Sequence, residues 1–293
     1  MKTPDLSIII VNWNTKYFLE KCLRSVYENS DGLNFEIFVI DNASTDGSQQ
    51  MVKEKFPDVN LIENEENLGF AKANNQAIKV ASGGYVLLLN SDTVVLDDAL
   101  NKMVKFMDDH PEAGALGPKI LNPDGSLQPS YAKFPNLTSA FFGFGRVGKL
   151  KDKLSILETD WLGGACLMVR AKVIEQVGML DERFYFYSED TDWCYRIKKN
   201  GWKIAYLPDA QVTHHLGASS KFMLYSEIQL WKSQYRFYKK HHSWISSFIF
   251  KFLMRLKCVL KICKSRIAPP TEIKNKERTE ASKKLFRDTF KWK

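Results

Sequence analysis

The sequence predicts an α/β fold: a Rossmann-like, mostly parallel central sheet with flanking helices, followed by an amphipathic helical extension at the carboxyl end. Three observations lead there. In the amino-terminal part of the chain, short apolar runs suited to buried strands alternate with stretches whose apolar residues recur at helical spacing. Polar and acidic residues follow directly on two of those runs, at Asp41 and at Asn90-Ser91-Asp92. Beyond Ile228 the chain turns basic and amphipathic.

The elements follow in order. Leu6 to Val11 is a continuous β-branched run suited to a strand buried on both faces. Leu19, Cys22, Leu23 and Val26 recur at helical steps and give one apolar stripe to lay against it. Phe35 to Ile40 is a second strand, and Asp46 or Ser48 is placed to cap a helix carrying Met51, Val52 and Phe56. Val59 to Ile62 is a short third strand. Phe70, Ala73, Ala77, Ile78 and Ala81 mark the next helix, ended by Gly83-Gly84 before the strand Tyr85 to Leu89. Leu100, Met103, Val104 and Met107 mark another, capped by Asp97 or Asp98.

After Pro111 the regularity weakens. Asn122-Pro123-Asp124-Gly125 is a turn signal, and Pro129 to Lys153, rich in glycine and aromatic residues, has the character of a mobile loop over a site. Trp161 to Val169 reads as a glycine-containing bend feeding a strand. Glu189-Asp190 leads a helix with Trp193 and Ile197 inward and Gly201 as its stop, and Trp202 to Leu207 is a last strand before His214-His215. The chain thus divides into a body, residues 1–225, and an extension, residues 226–293, whose charged tail follows Pro269-Pro270.

Charge excludes one class of partner. The formal net charge is +8, but Ile228 to Thr271 holds ten Lys and Arg and no Asp or Glu, so the remainder carries about −2 and is no nucleic-acid binder. Five cysteines without paired metal spacing read as reduced thiols of a cytoplasmic protein. The run Leu6 to Val11 is too short for a signal peptide, and no uncharged apolar stretch is long enough for a spanning helix.

In an open α/β sheet ligands bind beyond the carboxyl ends of the strands, which is where Asp92 stands. Mg²⁺ and Mn²⁺ commonly take one or two carboxylates and complete their shell with substrate phosphates and water. A single Asp is therefore an adequate anchor when a diphosphate comes with the metal, although Asn90-Ser91-Asp92 taken alone reads more simply as a polar turn. Asp41 would be costly if it faced the core. It could accept a hydrogen bond from a pyrimidine N3–H while Trp13 offers a face for the base. Asp46 answers equally to a helix cap. A calcium loop is excluded there, because Ala43 and Thr45 stand where oxygen ligands are needed. Asn67, Gly69, Asn74 and Asn75 shape the loop and helix start around Phe70.

The segments IIIVNWN (8–14), VIDNASTDGS (39–48), ENLGFAKANNQAI (66–78), LLLNSD (87–92), WLGGACLMVR (161–170), FYFYSEDTDWCYR (184–196) and HHLGASS (214–220) occur in this order. In that ordered set the chain resembles the family 2 glycosyltransferases of the GT-A fold, close to their bacterial rhamnosyltransferase-like branch, from about Leu6 to Ser220. The resemblance implies a metal-dependent inverting hexosyltransferase of cell-surface polysaccharide synthesis. It would use a nucleotide-diphosphate sugar, such as dTDP-rhamnose or a UDP-hexose, and a glycan or polyprenyl-diphosphate-linked acceptor. By the same resemblance Trp13, Asn14, Asp41, Asp46, Asn67 and Ser91 would bind the donor nucleotide. Asp92 would hold Mg²⁺ or Mn²⁺ with His214 or His215, and Asn90 replaces the first Asp of the family's DXD element with a neutral side chain. Asp190 would be the catalytic base with Glu189 beside it, and Trp161, Gly163 and Gly164 would line the sugar pocket.

Two other readings compete: a sugar nucleotidyltransferase and a catalytically silent sugar-nucleotide-binding protein. The first needs a glycine- and lysine-rich triphosphate loop near the first strand, which VNWNTK does not offer. In the extension, Phe248, Ile249, Phe252, Leu253, Leu256, Val259, Leu260 and Cys263 follow helical spacing among lysines and arginines. That pattern suits either an ordinary packed helix or peripheral attachment to the anionic inner face of the cell membrane.

Overall fold

The computed structural model describes residues 3–137, 156–215, 223–267 and 273–290. The chain forms two compact units. The first takes the described residues of 1–134, 147–185 and 189–219; the second takes those of 135–146, 186–188 and 220–293.

The first unit is built on one sheet. Strands β1 (Leu6–Asn12), β2 (Phe35–Asp41), β3 (Asn60–Glu63) and β4 (Tyr85–Leu89) alternate with helices α1 (Lys16–Glu28), α2 (Ser48–Lys55) and α3 (Phe70–Ile78). β1 runs parallel to both β2 and β4, and β3 adds in parallel at the outer edge of β2. Side chains along a strand alternate between faces. Ile8 and Ile10 accordingly join Leu19 and Leu23 in one core, while Ile9, Phe38 and Ile40 join Ala73 and Ala77 in the other.

Beyond β4 the chain continues as β5 (Thr93–Leu96), α4 (Ala99–Asp109), β6 (Ala113–Leu121), β7 (Leu127–Gln128), β8 (Tyr131–Ala132), β9 (Leu157–Glu158), β10 (Trp161–Leu162), β11 (Cys166–Arg170), α5 (Ala171–Val177), α6 (Glu189–Lys199) and β12 (Lys203–His214). The main sheet has the order β3-β2-β1-β4-β11-β6-β12-β5. β11 lies antiparallel between β4 and β6, β5 and β9 antiparallel on β12, and β7 antiparallel on β6, so among the described residues the sheet is mostly parallel with four reversed strands.

Several local expectations are corrected. Gly47, at φ +82°, is the residue that precedes α2; Asp46 stands one residue earlier and accepts from the Ser48 N–H and hydroxyl. Asp98 precedes α4 but its carboxylate takes the Asn101 amide and not a helix N–H. α3 ends at Ile78, well before Gly83-Gly84. β6 carries no strong strand signal because its sequence is AGALGPKIL, yet Ala113 to Ile120 is wholly buried. Small residues are required there: a Cβ on Gly114 would stand 2.7 Å from the Trp202 side chain. β12 continues past Leu207 to His214, with its pairing to β6 interrupted between Leu207 and Gln211, where Pro208 lacks an N–H to give. The Asn122–Gly125 turn closes through Asn122 N–H to Ser126 O and links β6 to β7. Of the predicted loop Pro129 to Lys153, residues 138–153 lie outside the described residues.

The second unit contains α7 (Met223–His241), α8 (Trp244–Ile267) and α9 (Ile273–Asp288). Phe237, Tyr238, Phe250, Met254 and Leu285 are buried, and the Tyr238 and Phe250 rings stack at 4.5 Å. The charged tail is thus helical over Ile273–Asp288, where Ala281 and Leu285 give it an apolar side to bury. None of the described helices is long and apolar enough to cross a membrane.

Candidate active site

The carboxyl ends of β1, β2 and β4 carry a buried chain of polar side chains. The Asn12 amide donates to Asp41 Oδ2 at 2.8 Å, and Asn12 Oδ1 accepts from the Thr15 hydroxyl at 2.6 Å. The Thr15 and Ser91 hydroxyls are then 2.8 Å apart. Asp41 Oδ1 also accepts from the Ser44 N–H and the Gln49 amide, each at 2.8 Å. Asp41 is 0 % exposed, with three donors on its carboxylate. It holds Asn12 and the loop at Ser44. Ser91, at 5 % exposure, is the inner end of this chain of polar groups.

The rim above is open. Trp13 is 45 % exposed, as a stacking platform requires. Asn14, at φ +55°, uses its Oδ1 to accept from the Thr45 N–H. Burial works against the Asp46 charge, but hydrogen bonds from Ser48 and from the Lys16 N–H outweigh it and hold the carboxyl below its ordinary pKa. Asn67 turns its Oδ1 to the Gly69 N–H, a loop-shaping bond.

At the end of β4, Asp92 meets β12. His214 Nε2 lies 3.2 Å from Asp92 Oδ1 and 3.3 Å from the Asn90 amide nitrogen, while His214 Nδ1 is 2.7 Å from Gln128 Oε1. The Gln128 amide nitrogen donates to Asn122 Oδ1 and to the His214 carbonyl, which fixes Oε1 toward the ring and makes Nδ1 the protonated nitrogen. Nε2 is then the acceptor nitrogen, faced by the Asn90 amide and standing beside a carboxylate oxygen of Asp92. Two such donors fit a hard divalent ion whose remaining ligands come from a diphosphate. No group of three or more His, Cys, Asp or Glu that could hold a metal occurs among the described residues. The structure also separates the two histidines: the His215 ring packs on Phe18 at 5.0 Å, and its tie to Asp92 is through its main-chain N–H.

The second acidic station is joined to the first through the main chain. The Asn90 N–H donates to the Ala165 carbonyl at 2.9 Å, and the Gly164 N–H next to it donates to Asp190 Oδ2 at 3.0 Å. Asp190 Oδ1 accepts from the Thr191 N–H and hydroxyl. Burial raises the Asp190 pKa, with the Gly164 N–H and the Trp161 indole acting against it. The indole Nε1 lies close to that carboxylate but completes no hydrogen bond of ordinary geometry. A Cβ on Gly163 or Gly164 would make only ordinary contacts, so nothing in the protein itself demands glycine at these two positions.

Glu189 precedes Asp190 in the chain. It is 6 % exposed, its Oε2 has no partner, and burial followed by the neighbouring Asp190 charge pushes its pKa well above the usual carboxylate range. Burial thus favours its protonated form, whereas Asp190 is only half-buried. Asp192, two residues on, is fully buried and paired with Arg196 at 2.9 Å.

Asn12, Thr15, Gln49 and Gln128 are the site-building residues that sequence reasoning missed. Asn12 and Thr15 flank Trp13 and could have been found as polar residues closing an apolar strand. Gln128 carries no local signal, since its partner lies 86 positions away.

The family model described as Glycosyl transferase family 2 matches residues 7–178. The N-acetylglucosaminyl-diphospho-decaprenol L-rhamnosyltransferase of Mycobacterium tuberculosis is 31 % identical over 243 residues, 74 % of this chain and 78 % of that protein. Among solved structures, the mannosyltransferase PcManGT from Pyrobaculum calidifontis in complex with GDP-Man and Mn²⁺ is similar at a TM-score of 0.62 and 18 % identity, covering 99 % of this chain and 87 % of that one. GalNAc-T7 with UDP, GalNAc and Mn²⁺ is similar at a TM-score of 0.64 and 16 % identity, covering 99 % of this chain and 56 % of that one. At such identities the likeness concerns the fold, which is that of the GT-A glycosyltransferases.

Proposed function

The chain belongs to glycosyl transferase family 2, and from that premise we propose that it is an inverting transferase of cell-surface glycan synthesis. It would move a sugar, L-rhamnose from dTDP-rhamnose or a hexose from a UDP donor, to a hydroxyl of a polyprenyl-diphosphate-linked saccharide. The rhamnosyl donor and the lipid-linked acceptor are favoured by the activity of the Mycobacterium tuberculosis relative, an N-acetylglucosaminyl-diphospho-decaprenol L-rhamnosyltransferase.

One observation carries the reading: Asp190 is held by the Gly164 N–H one residue from Ala165, whose carbonyl binds Asn90 beside Asp92. An inverting transfer needs a carboxylate that takes the acceptor proton as its oxygen attacks the anomeric carbon opposite the departing diphosphate. Asp190, with its pKa raised by burial, is suited to hold that proton; general-base assistance of this kind is worth about 10²- to 10⁴-fold in rate. Gly164 orients the carboxylate, and Trp13 gives the base a surface to stack on. Asp92 Oδ1 and His214 Nε2 are the groups that would hold Mg²⁺ or Mn²⁺, and Mn²⁺ accompanies the nucleotide ligand in both similar solved structures. When bound it would neutralise charge developing on the leaving nucleoside diphosphate.

The test is a panel of sugar nucleotides with Mn²⁺, read first as thermal stabilisation and then as transfer. The donor that stabilises the protein should also be turned over. Asp190→Asn should keep that stabilisation and lose transfer; a variant that still transfers removes Asp190 from the mechanism. Donor binding without transfer or hydrolysis by the unaltered protein would favour the silent binding protein instead.

A further inference from the structure

α8 is packed on one side only. Phe250, Met254 and Cys258 are buried within the second unit, whereas Trp244, Ile245, Phe248, Phe252, Leu256 and Val259 are exposed, at 77 % for Trp244, 65 % for Phe248 and 57 % for Phe252. At roughly 100° per residue, positions 245, 248, 252, 256 and 259 fall on one stripe along the helix. By the same step Lys251 and Arg255 lie along one edge, and on the other Ile249, Leu260 and Leu253 widen the apolar face up to Lys264 and Lys257, while Lys261 falls on the opposite side of the helix. Three of these reach sideways over aromatic rings: Lys251 over Tyr235, Arg255 over Phe290 and Lys257 over Trp231. Those contacts keep the charged ends at the borders and off the apolar face.

We propose that this face of α8 lies in the plane of an anionic membrane, its aromatic and aliphatic stripe in the headgroup boundary and its two rows of cations against lipid phosphates. Charge decides for lipid over a second copy of the chain. A partner copy would bring the same cations to the same edges, and Ile228 to Thr271 offers no acidic side chain to answer them. An anionic bilayer supplies negative charge along both borders at once. The charges within α8 also explain why it lies on and does not cross the bilayer. The inference deepens the proposed function by giving the site a surface where a lipid-linked acceptor resides, but it rests on the helix alone.

The experiment uses the full chain with vesicles that contain neither donor nor acceptor: phosphatidylcholine alone, and phosphatidylcholine with phosphatidylglycerol. The protein should sediment with the anionic vesicles, stay in solution with the neutral ones, and be released by salt. The double variant Phe248→Ser, Phe252→Ser should lose binding at least about tenfold, from the apolar area withdrawn. Lys264→Gln should lose about fivefold. Both variants should keep the melting temperature and the turnover of a water-soluble acceptor, since these side chains are exposed. Wild-type protein that stays in solution with phosphatidylglycerol vesicles overturns the proposal. So does a dimer that the double variant dissociates in the absence of vesicle binding, which assigns the face to a second copy. Failure of transfer with vesicle binding intact would count against the proposed function alone.

Discussion

Replacing Glu189 by Gln isolates the energetic consequence of a buried carboxyl. In the folded chain this side chain is 6 % exposed, Oε2 lacks a partner, and burial and then the Asp190 charge favour the protonated form. The native state therefore keeps a proton that the unfolded chain releases above the ordinary value of 4.5. The sign follows: the group's contribution to stability is fully present below that pH and is lost as pH rises toward the folded pKa. Between those limits the loss is about 1.4 kcal/mol per pH unit, the slope set by one proton. Gln has the same shape and no proton to keep. Its advantage over Glu should start near zero around pH 4.5 and grow at that slope, apart from a constant offset for the amide's own hydrogen bonding. Urea unfolding of both proteins at a series of pH values measures the difference directly. Asp190 is present in both and its own shift largely cancels. Parallel stability curves would mean that Glu189 is ionised in the folded protein, and the contrast between Glu189 and Asp190 would fall with it.

Two further outcomes test the frame of the site. Gln128→Leu removes the group that fixes the His214 ring, and Mn²⁺ bound to the enzyme, counted by electron paramagnetic resonance without donor, should weaken about 10- to 100-fold with little change in melting temperature; unchanged affinity would dismiss Gln128 as a positioning residue. Gly69→Ala places a Cβ 2.5 Å from the Tyr185 carbonyl at φ +80° and should cost about 2–3 kcal/mol in unfolding free energy. Gly201→Ala, at φ +87° with nothing within 4 Å, should cost about 1 kcal/mol, and equal losses would refute the clash.

How much could be read in advance follows the kind of signal each residue carries. The alternation β1 to β4 was legible because strands buried on both faces carry apolar runs, as Ile8 to Val11 within β1 and Tyr85–Leu89 do. β6 was not, because close packing by Trp202 selects glycine and alanine, which signal neither strand nor helix. Asp92 with His214 and Asp190 with Gly164 were named from ordered motifs, and the structure brings each pair together. Burial was not legible: Asp41, Asp92, Glu189 and His214 are all buried, since a motif records residue type and not which way a side chain turns. Gln128 was invisible for a different reason: its function exists only once β7 lies against β6 and reaches His214 on β12.

The reversed strand between β4 and β6 also sets an order of assembly. As the chain leaves the ribosome, β1 to β4 can form a layer early, but the free edge of β4 stays unpaired until Cys166–Arg170 has been synthesised. The same docking event brings Gly164 and Ala165 up to Asn90. A nascent or proteolytically shortened chain that ends before this strand would therefore carry an unpaired edge on β4 and lack the Gly164 and Ala165 groups that meet Asp190 and Asn90.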